Sequence, residues 1–281
     1  LDRVRITLLA NIGTPREAEI ALTHGAEGVG LFRTEFLFLD RPEPPSEEEQ
    51  YQAYRHVAEV MAYRPVVIRT LDVGGDKPVP GVHLEPEANP FLGIRGLRLS
   101  LRYPDLFRTQ IRAILRASAH GNVHMMFPMV ATVQDLLDAR QIVEEVKDEL
   151  NAAGIPYADD LPIGIMVETP AAAVAADVLI REVDFFSIGT NDLVQYTLAV
   201  DRTNAELARR YDPLDVSVVR MIAQATSAAT GIGKSVAVCG EMAGDPEAIP
   251  LLLGLGVREL SMTATSIPRA KEIVRSLRIA D

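Results

Sequence analysis

The chain has 281 residues, 48% hydrophobic and 24% charged, a balance that supports a substantial core and excludes wholesale disorder or a collagen-like repeat. Asp and Glu number 39 against 28 Lys and Arg, a formal net charge of −11, so the field of the whole molecule repels nucleic acid and anionic membrane surfaces. One cysteine makes no internal disulfide, no basic and then apolar leader opens the chain, and the longest apolar stretches, residues 171–180 and 249–257, fall short of the roughly 20 residues that span a bilayer; a cytoplasmic protein without membrane insertion is expected.

Short runs rich in Val, Ile and Phe alternate with stretches of helical character, the pattern of parallel βα units. In chain order the predicted strands are Ile6–Ile12, Val29–Phe32, Val66–Leu71, Val123–Met129, Ile163–Val167, Phe185–Ile188, Val236–Val238 and Glu259–Met262. Helix starts are signalled by Thr14-Pro15 with Glu17, by Ser46 with Glu49, and by Asp245-Pro246, where a capping oxygen or a first-turn proline meets the free amides of a first turn. Eight such units in one chain predict an α/β fold, a closed (β/α)8 barrel of TIM type in a single domain spanning residues 1–281. An open doubly wound sheet is the rival, because βαβ repeats alone do not reveal closure. The chain opens at Leu1 rather than at a methionine, as expected of a piece of a longer polypeptide.

A βα barrel builds its chemistry at the carboxyl ends of its strands. There the sequence places Asn11 after the first predicted strand, Arg33-Thr34-Glu35 after the second and Arg69 with Asp72 at the third. Glu168 follows the fifth, Asn191-Asp192 the sixth and Cys239-Gly240-Glu241 the seventh. Glu168 and Asp192, from adjacent strands, offer hard oxygen ligands of the kind Mg2+ takes, with substrate and water completing the shell. Arg33, Arg69 and Arg95, joined by Arg202 and Asn191, are anion candidates because guanidinium forks match phosphate and carboxylate. Pairing of these arginines with Glu35, Asp72 or Glu241 is the competing structural role. Cys239 is either a small buried hydrophobe or, if it reaches the mouth, a nucleophile or proton donor.

Several motifs fail on counting. Gly233-Lys234-Ser235 ends like a phosphate loop, but Ala228 occupies the position of the first required glycine and the segment runs into a strand. Gly25, Gly28 and Gly30 have the dinucleotide spacing reversed. His24, His56, His83, His120 and His124 lack ligand spacing, so a zinc site is not expected. Val73-Gly74-Gly75-Asp76-Lys77 is by itself a weak signal of a glycine turn carrying a lysine towards the mouth.

Together the runs Gly30–Leu37, Arg69–Lys77, Asn89–Arg95, Met166–Pro170, Ser187–Leu193, Gln195–Arg202 and Cys239–Glu241 resemble the phosphoenolpyruvate-binding domain of enzyme I of the bacterial sugar phosphotransferase system. The resemblance covers nearly the whole chain. Pyruvate phosphate dikinase and phosphoenolpyruvate synthase share the barrel and some of these motifs, whereas Leu71–Lys77 and Gln195–Arg202 are similar to enzyme I in particular. The resemblance implies that Arg33, Arg69, Asn191, Asp192 and Arg202 bind phosphoenolpyruvate, with Arg95 and Lys77 assisting at the phosphate. It further implies that Glu168 and Asp192 hold Mg2+, that Cys239 protonates C3 of the enolate, and that the domain forms a homodimer. Ile94 and Gly96 stand where members often carry Trp and Ala, which bears on packing beside Arg95. The family's acceptor histidine, in a Thr-Ser-His segment, belongs to a separate N-terminal domain that also binds the carrier protein HPr. No Thr-Ser-His occurs in this sequence, so binding of phosphoenolpyruvate without completed transfer is expected of it alone. A free-standing Mg2+-dependent lyase or aldolase and a non-catalytic phosphoenolpyruvate sensor are the alternatives.

Overall fold

The structure, a computed structural model, describes residues 4–39, 41–74 and 85–278. Eight parallel strands close on themselves in sequence order: β1 (Thr7–Ile12), β2 (Val29–Arg33), β3 (Val66–Arg69), β4 (Val123–Phe127), β5 (Ile163–Val167), β6 (Phe185–Ile188), β7 (Ser235–Val238) and β8 (Glu259–Met262). Pairing of β8 with β1, from Thr7 opposite Glu259 to Ala10 opposite Met262, seals the ring and decides for the barrel over the open sheet. Helices α1 (Glu17–Thr23), α2 (Glu47–Met61), α3 (Leu97–Arg102), α4 (Pro104–Ser118), α5 (Val133–Ala152), α6 (Pro170–Val174), α7 (Ala176–Leu179), α8 (Thr190–Leu198), α9 (Ala205–Arg210), α10 (Val216–Thr230), α11 (Ala248–Gly254) and α12 (Ile267–Ser276) surround it. None of them is long and apolar enough to cross a membrane.

Strand bounds depart from expectation by a residue or two where the chain must leave the sheet. Strand β4 stops at Phe127 because Pro128 follows and Met129 takes a left-handed φ of 55°. Ser46 and Glu49 form the expected reciprocal capping box at α2. At α1 the Thr14 hydroxyl instead donates to the Glu17 carboxylate at 3.0 Å, and α1 starts without a side-chain cap.

Alternation along the strands sorts side chains into two populations. Leu8, Ala10, Ile12, Phe32, Ile68, Phe127, Val167, Ile188 and Val238 point outward into the main core beneath the helices. Leu31, Val67, Met126, Met166, Phe185 and Cys239 fill the barrel itself.

One irregularity shapes the mouth. Val29 lies opposite Val66 while Phe32 lies opposite Ile68, so β2 carries one residue more than β3 over that span, a bulge at Gly30-Leu31. Strict alternation from outward-facing Val29 would turn Arg33 outward. The extra residue restores it to the inside, opposite Arg69. Gly30 makes this possible, because a Cβ there would lie 2.5 Å from Ser261 Oγ and 3.0 Å from Leu9 Cβ. Gly30→Ala is therefore expected to lose about 1–3 kcal/mol of stability through overpacking, read as a lower urea midpoint at unchanged m-value; an unchanged midpoint would contradict the tight interior.

Candidate active site

A cavity of about 790 Å3 opens at the carboxyl ends of the strands, and its lining includes Arg33, Arg69, Arg95, Glu168, Asn191, Asp192, Arg202 and Cys239. Residues at the carboxyl ends of β2, β3, β5, β6 and β7 and the loops behind them thus meet in one place. Lys77 lies outside the described residues, as does His83.

Two buried arginines are held by carboxylates. Arg69, the last residue of β3, places Nη1 3.2 Å from Asp72 Oδ2 and pairs through Nη2 with Glu35 Oε1. Arg95 reaches Asp72 Oδ2 at 3.0 Å through Nη2 and Asp192 Oδ1 at 3.1 Å through Nη1. Arg202 contacts the other Asp192 oxygen at 3.4 Å. The anticipated pairing with Glu35 and Asp72 is therefore present, while Glu241 instead exchanges hydrogen bonds with Asn191. Arg33 is exposed at the rim, its guanidinium 5.2 Å from the Phe36 ring centre.

Burial sets the electrostatics. It raises the Glu35 pKa by more than Arg69 lowers it. At Asp72 burial also works against the charged form, and the guanidiniums of Arg69 and Arg95 outweigh it, leaving its pKa below the ordinary value. Each arginine is thus kept charged in a site with little water, and Arg69 Nε finds no hydrogen-bond partner among the described residues.

Glu168, directly after β5, is 1% exposed and accepts a 2.6 Å hydrogen bond from the Met129 amide at Oε1. Burial, then the charges of Asp192 and Asp72, push its pKa up to about 8. A buried carboxylate repelled by its neighbours is the arrangement a bound cation relieves. Space exists beside it: a Cβ on Gly189 would come within 2.9 Å of Glu168 Oε2, so the glycine leaves that oxygen uncovered. The described residues contain no cluster of three or more His, Cys, Asp or Glu able to hold a metal. Two hard carboxylates with substrate and water oxygens suit Mg2+, which keeps several non-protein ligands, and the residues present fit it.

Cys239 follows β7 at the cavity floor, 4% exposed. Its carbonyl accepts from Asn11 Nδ2 at 2.8 Å, and Ser261 Oγ donates to Asn11 Oδ1 at 2.6 Å, so β7, β1 and β8 are tied together behind it. Burial pushes the thiol up to about 11, which makes it a protonated acid at neutral pH and a poor nucleophile. Alkylation of Cys239 by iodoacetamide at pH 8 is expected to run on the order of a hundredfold slower than that of a free cysteine, and to accelerate towards pH 11 as thiolate forms. Mass spectrometry of the alkylated peptide measures this, and labelling as fast as free cysteine would remove the acid role.

Over residues 1–279 the chain matches the family model described as "PEP-utilising enzyme, PEP-binding domain". The chain belongs to this phosphoenolpyruvate-binding family. Curated relatives named phosphoenolpyruvate-protein phosphotransferase include those of Geobacillus stearothermophilus, 53% identical over 98% of this chain, and Priestia megaterium, 51% identical over all of it. These alignments cover 48% and 49% of the relatives, so the chain spans about half the length of the curated relatives it matches. A citrate lyase structure from Burkholderia xenovorans aligns with 96% of this chain and 77% of its own at a TM-score of 0.58 and 17% identity, a likeness of fold alone.

Among the described residues the histidines lie away from this cavity. His56 Nε2 is 3.0 Å from Glu19 Oε1 and His120 Nε2 is 2.8 Å from Tyr51 Oη, and no described histidine lines the mouth. Sequence reading assigned no role to Tyr196 or Phe91. Tyr196 Oη accepts from Arg95 Nη1 at 3.0 Å and donates to the Phe91 carbonyl at 2.5 Å, while the Phe91 ring centre lies 6.0 Å from the Arg95 guanidinium. Both residues fall in runs that carry the resemblance, the one signal that marked them.

Proposed function

We propose that the chain is the C-terminal, phosphoenolpyruvate-binding part of a phosphoenolpyruvate-protein phosphotransferase, enzyme I, acting in the cytoplasm. In the full-length enzyme it presents phosphoenolpyruvate to a histidine of the N-terminal domain, which passes the phosphoryl group to HPr, and pyruvate is released. The observation that carries this reading is the meeting of charged Arg69 and Arg95, the Glu168–Asp192 carboxylates and a protonated Cys239 around one cavity. Homodimerisation rests on the resemblance, and the exposed Val174, Val178 and Val216 supply apolar surface.

Arg33, Arg69, Arg202 and Asn191 hold the substrate's carboxylate and phosphate, with Arg95 and Lys77 at the phosphate. Because Glu35 and Asp72 already fix the Arg69 fork, little ordering remains when the anion arrives. Transfer breaks the bond between phosphorus and the enol oxygen; the phosphoryl group moves to the acceptor histidine and leaves the enolate of pyruvate. Glu168 and Asp192 would hold Mg2+, which would supply positive charge against the negative charge developing there. Cys239 then gives its proton to C3, the enolate oxygen becomes the ketone oxygen, and the thiolate regains a proton from water. Arginines and the buried, low-water setting stabilise charge without reorganising.

Calorimetric titration with phosphoenolpyruvate, with and without Mg2+, tests the reading. Metal-dependent binding is expected, with no acid-labile phosphohistidine on this chain alone. Adding the N-terminal half in trans should restore phosphotransfer, and Cys239→Ala should remove it while leaving binding. Turnover without a partner would favour the lyase, and ligand binding and partner regulation unchanged by Cys239→Ala, with no phosphotransfer in trans, would favour the sensor.

A further inference from the structure

Behind Arg69 runs a buried chain of hydrogen bonds that the mechanism above does not use. Thr34 Oγ1 donates to the Arg69 carbonyl at 2.9 Å. Gln110, on α4, donates through Nε2 to Thr34 Oγ1 and to Tyr54 Oη, both at 3.1 Å, and accepts from the Leu71 amide at 2.8 Å through Oε1. Tyr54 Oη donates to Gln50 Oε1 at 3.1 Å, and Gln50 Nε2 donates to the Pro45 carbonyl at 3.0 Å. Thr34, Gln50, Tyr54 and Gln110 are each at most 1% exposed.

Polar side chains at such burial cost stability unless every member is satisfied, and an apolar core is the simpler solution. The anchor points give this network a purpose. Thr34 adjoins Glu35 and Leu71 adjoins Asp72, and these two carboxylates grip the Arg69 guanidinium; the third anchor is the backbone of Arg69 itself. Gln110 therefore ties to one helix both jaws of the clamp and the residue between them.

We propose that Gln110 and Thr34 are positioning residues that set the Arg69 fork for the substrate anion. This rests on the functional reading above for the identity of the anion, and on hydrogen-bond geometry alone for the positioning. The hydrogen bonds of Thr34 and Gln110 run to Arg69, Leu71 and Tyr54 and make no direct contact with Glu168 or Asp192, the carboxylates after β5 and β6.

The test uses the whole chain and the Arg69 Nε–Hε resonance, assigned with Arg69→Lys. Thr34→Val removes the hydroxyl at nearly constant shape, whereas Thr34→Ser keeps it. The Val variant is expected to shift or broaden the Arg69 signal and to weaken phosphoenolpyruvate binding at least tenfold. The Ser variant should restore both. Mn2+ affinity, read by electron paramagnetic resonance, should stay within twofold in either. An Arg69 signal equally unchanged in both folded variants overturns the proposal, whatever happens to thermal stability. Should Thr34→Val fail to fold, Tyr54→Phe deletes one oxygen of the same network and is expected to move the Arg69 signal in the same direction; no movement overturns the proposal. If the wild type binds no phosphoenolpyruvate while the Val variant still disturbs Arg69, the functional reading falls and the positioning stands.

Discussion

Arg69→Met is expected to abolish phosphoenolpyruvate binding and to destabilise the chain by about 3–5 kcal/mol at neutral pH, the cost of breaking a buried ion pair by removing one partner. Glu35 and Asp72 lie against this guanidinium, all three side chains at most 9% exposed, and with it gone they face each other in a poorly hydrated setting. Burial already holds the Glu35 pKa above its ordinary value against the pull of Arg69. Without that pull the folded value rises further. A carboxyl whose folded pKa exceeds its unfolded one keeps its full stability below the unfolded value and loses it as pH rises through the range between the two. The deficit of the variant should therefore be smaller at pH 5 than at pH 8. Urea denaturation at both pH values measures it. Arg69→Lys, which keeps the charge but not the planar fork, should recover most of the stability and little of the binding. A Met variant as stable as wild type at pH 8 would mean that the clamp carries no net charge to compensate.

Glu168→Gln is expected to move function and stability in opposite directions. Metal-dependent binding of phosphoenolpyruvate should fall on the order of a hundredfold or more, because half of the protein's hard oxygen donors lose their charge. The metal-free protein should at the same time gain on the order of 1–3 kcal/mol, since the variant removes a buried carboxylate repelled by Asp192 and Asp72. The amide oxygen can still accept from the Met129 amide, so the local fold is kept. In the wild type the folded pKa is pushed up to about 8 from 4.5, so this group's contribution is present in acid and lost as pH rises between those values. The advantage of the variant should accordingly grow from pH 5 to pH 8 and then level off. Thermal melts in chelator across that range, alongside calorimetry with Mg2+, give both readouts. A variant less stable than wild type at pH 8 would show that Glu168 is held for structure rather than for a cation.

Much of the architecture was legible because its signals are local. Apolar runs bounded by turn residues marked all eight strands, and the Ser46–Glu49 spacing marked the start of α2. Charged residues immediately after strands marked most of the mouth, because the strand direction of a βα barrel sends all those ends to one side. The bulge in β2 was hidden, since Gly30 inside an apolar run reads like any other strand residue. Its cause is the approach of Ser261 and Leu9, distant in the chain. The Gln110 network was hidden for the same reason: Gln50, Tyr54 and Gln110 look like ordinary polar positions of helices until α2, α4 and the strand ends are brought together.

The order of βα units, the reactive side chains at the strand ends and the likeness to the phosphoenolpyruvate-binding family are all legible along the chain. Closure of the sheet, the sharing of Asp192 between Arg95 and Arg202, and the raised pKa that keeps Cys239 protonated emerge in the folded molecule. Closure, charge pairing and pKa depend on distance and on exclusion of water, and both arise only when residues far apart along the chain pack together.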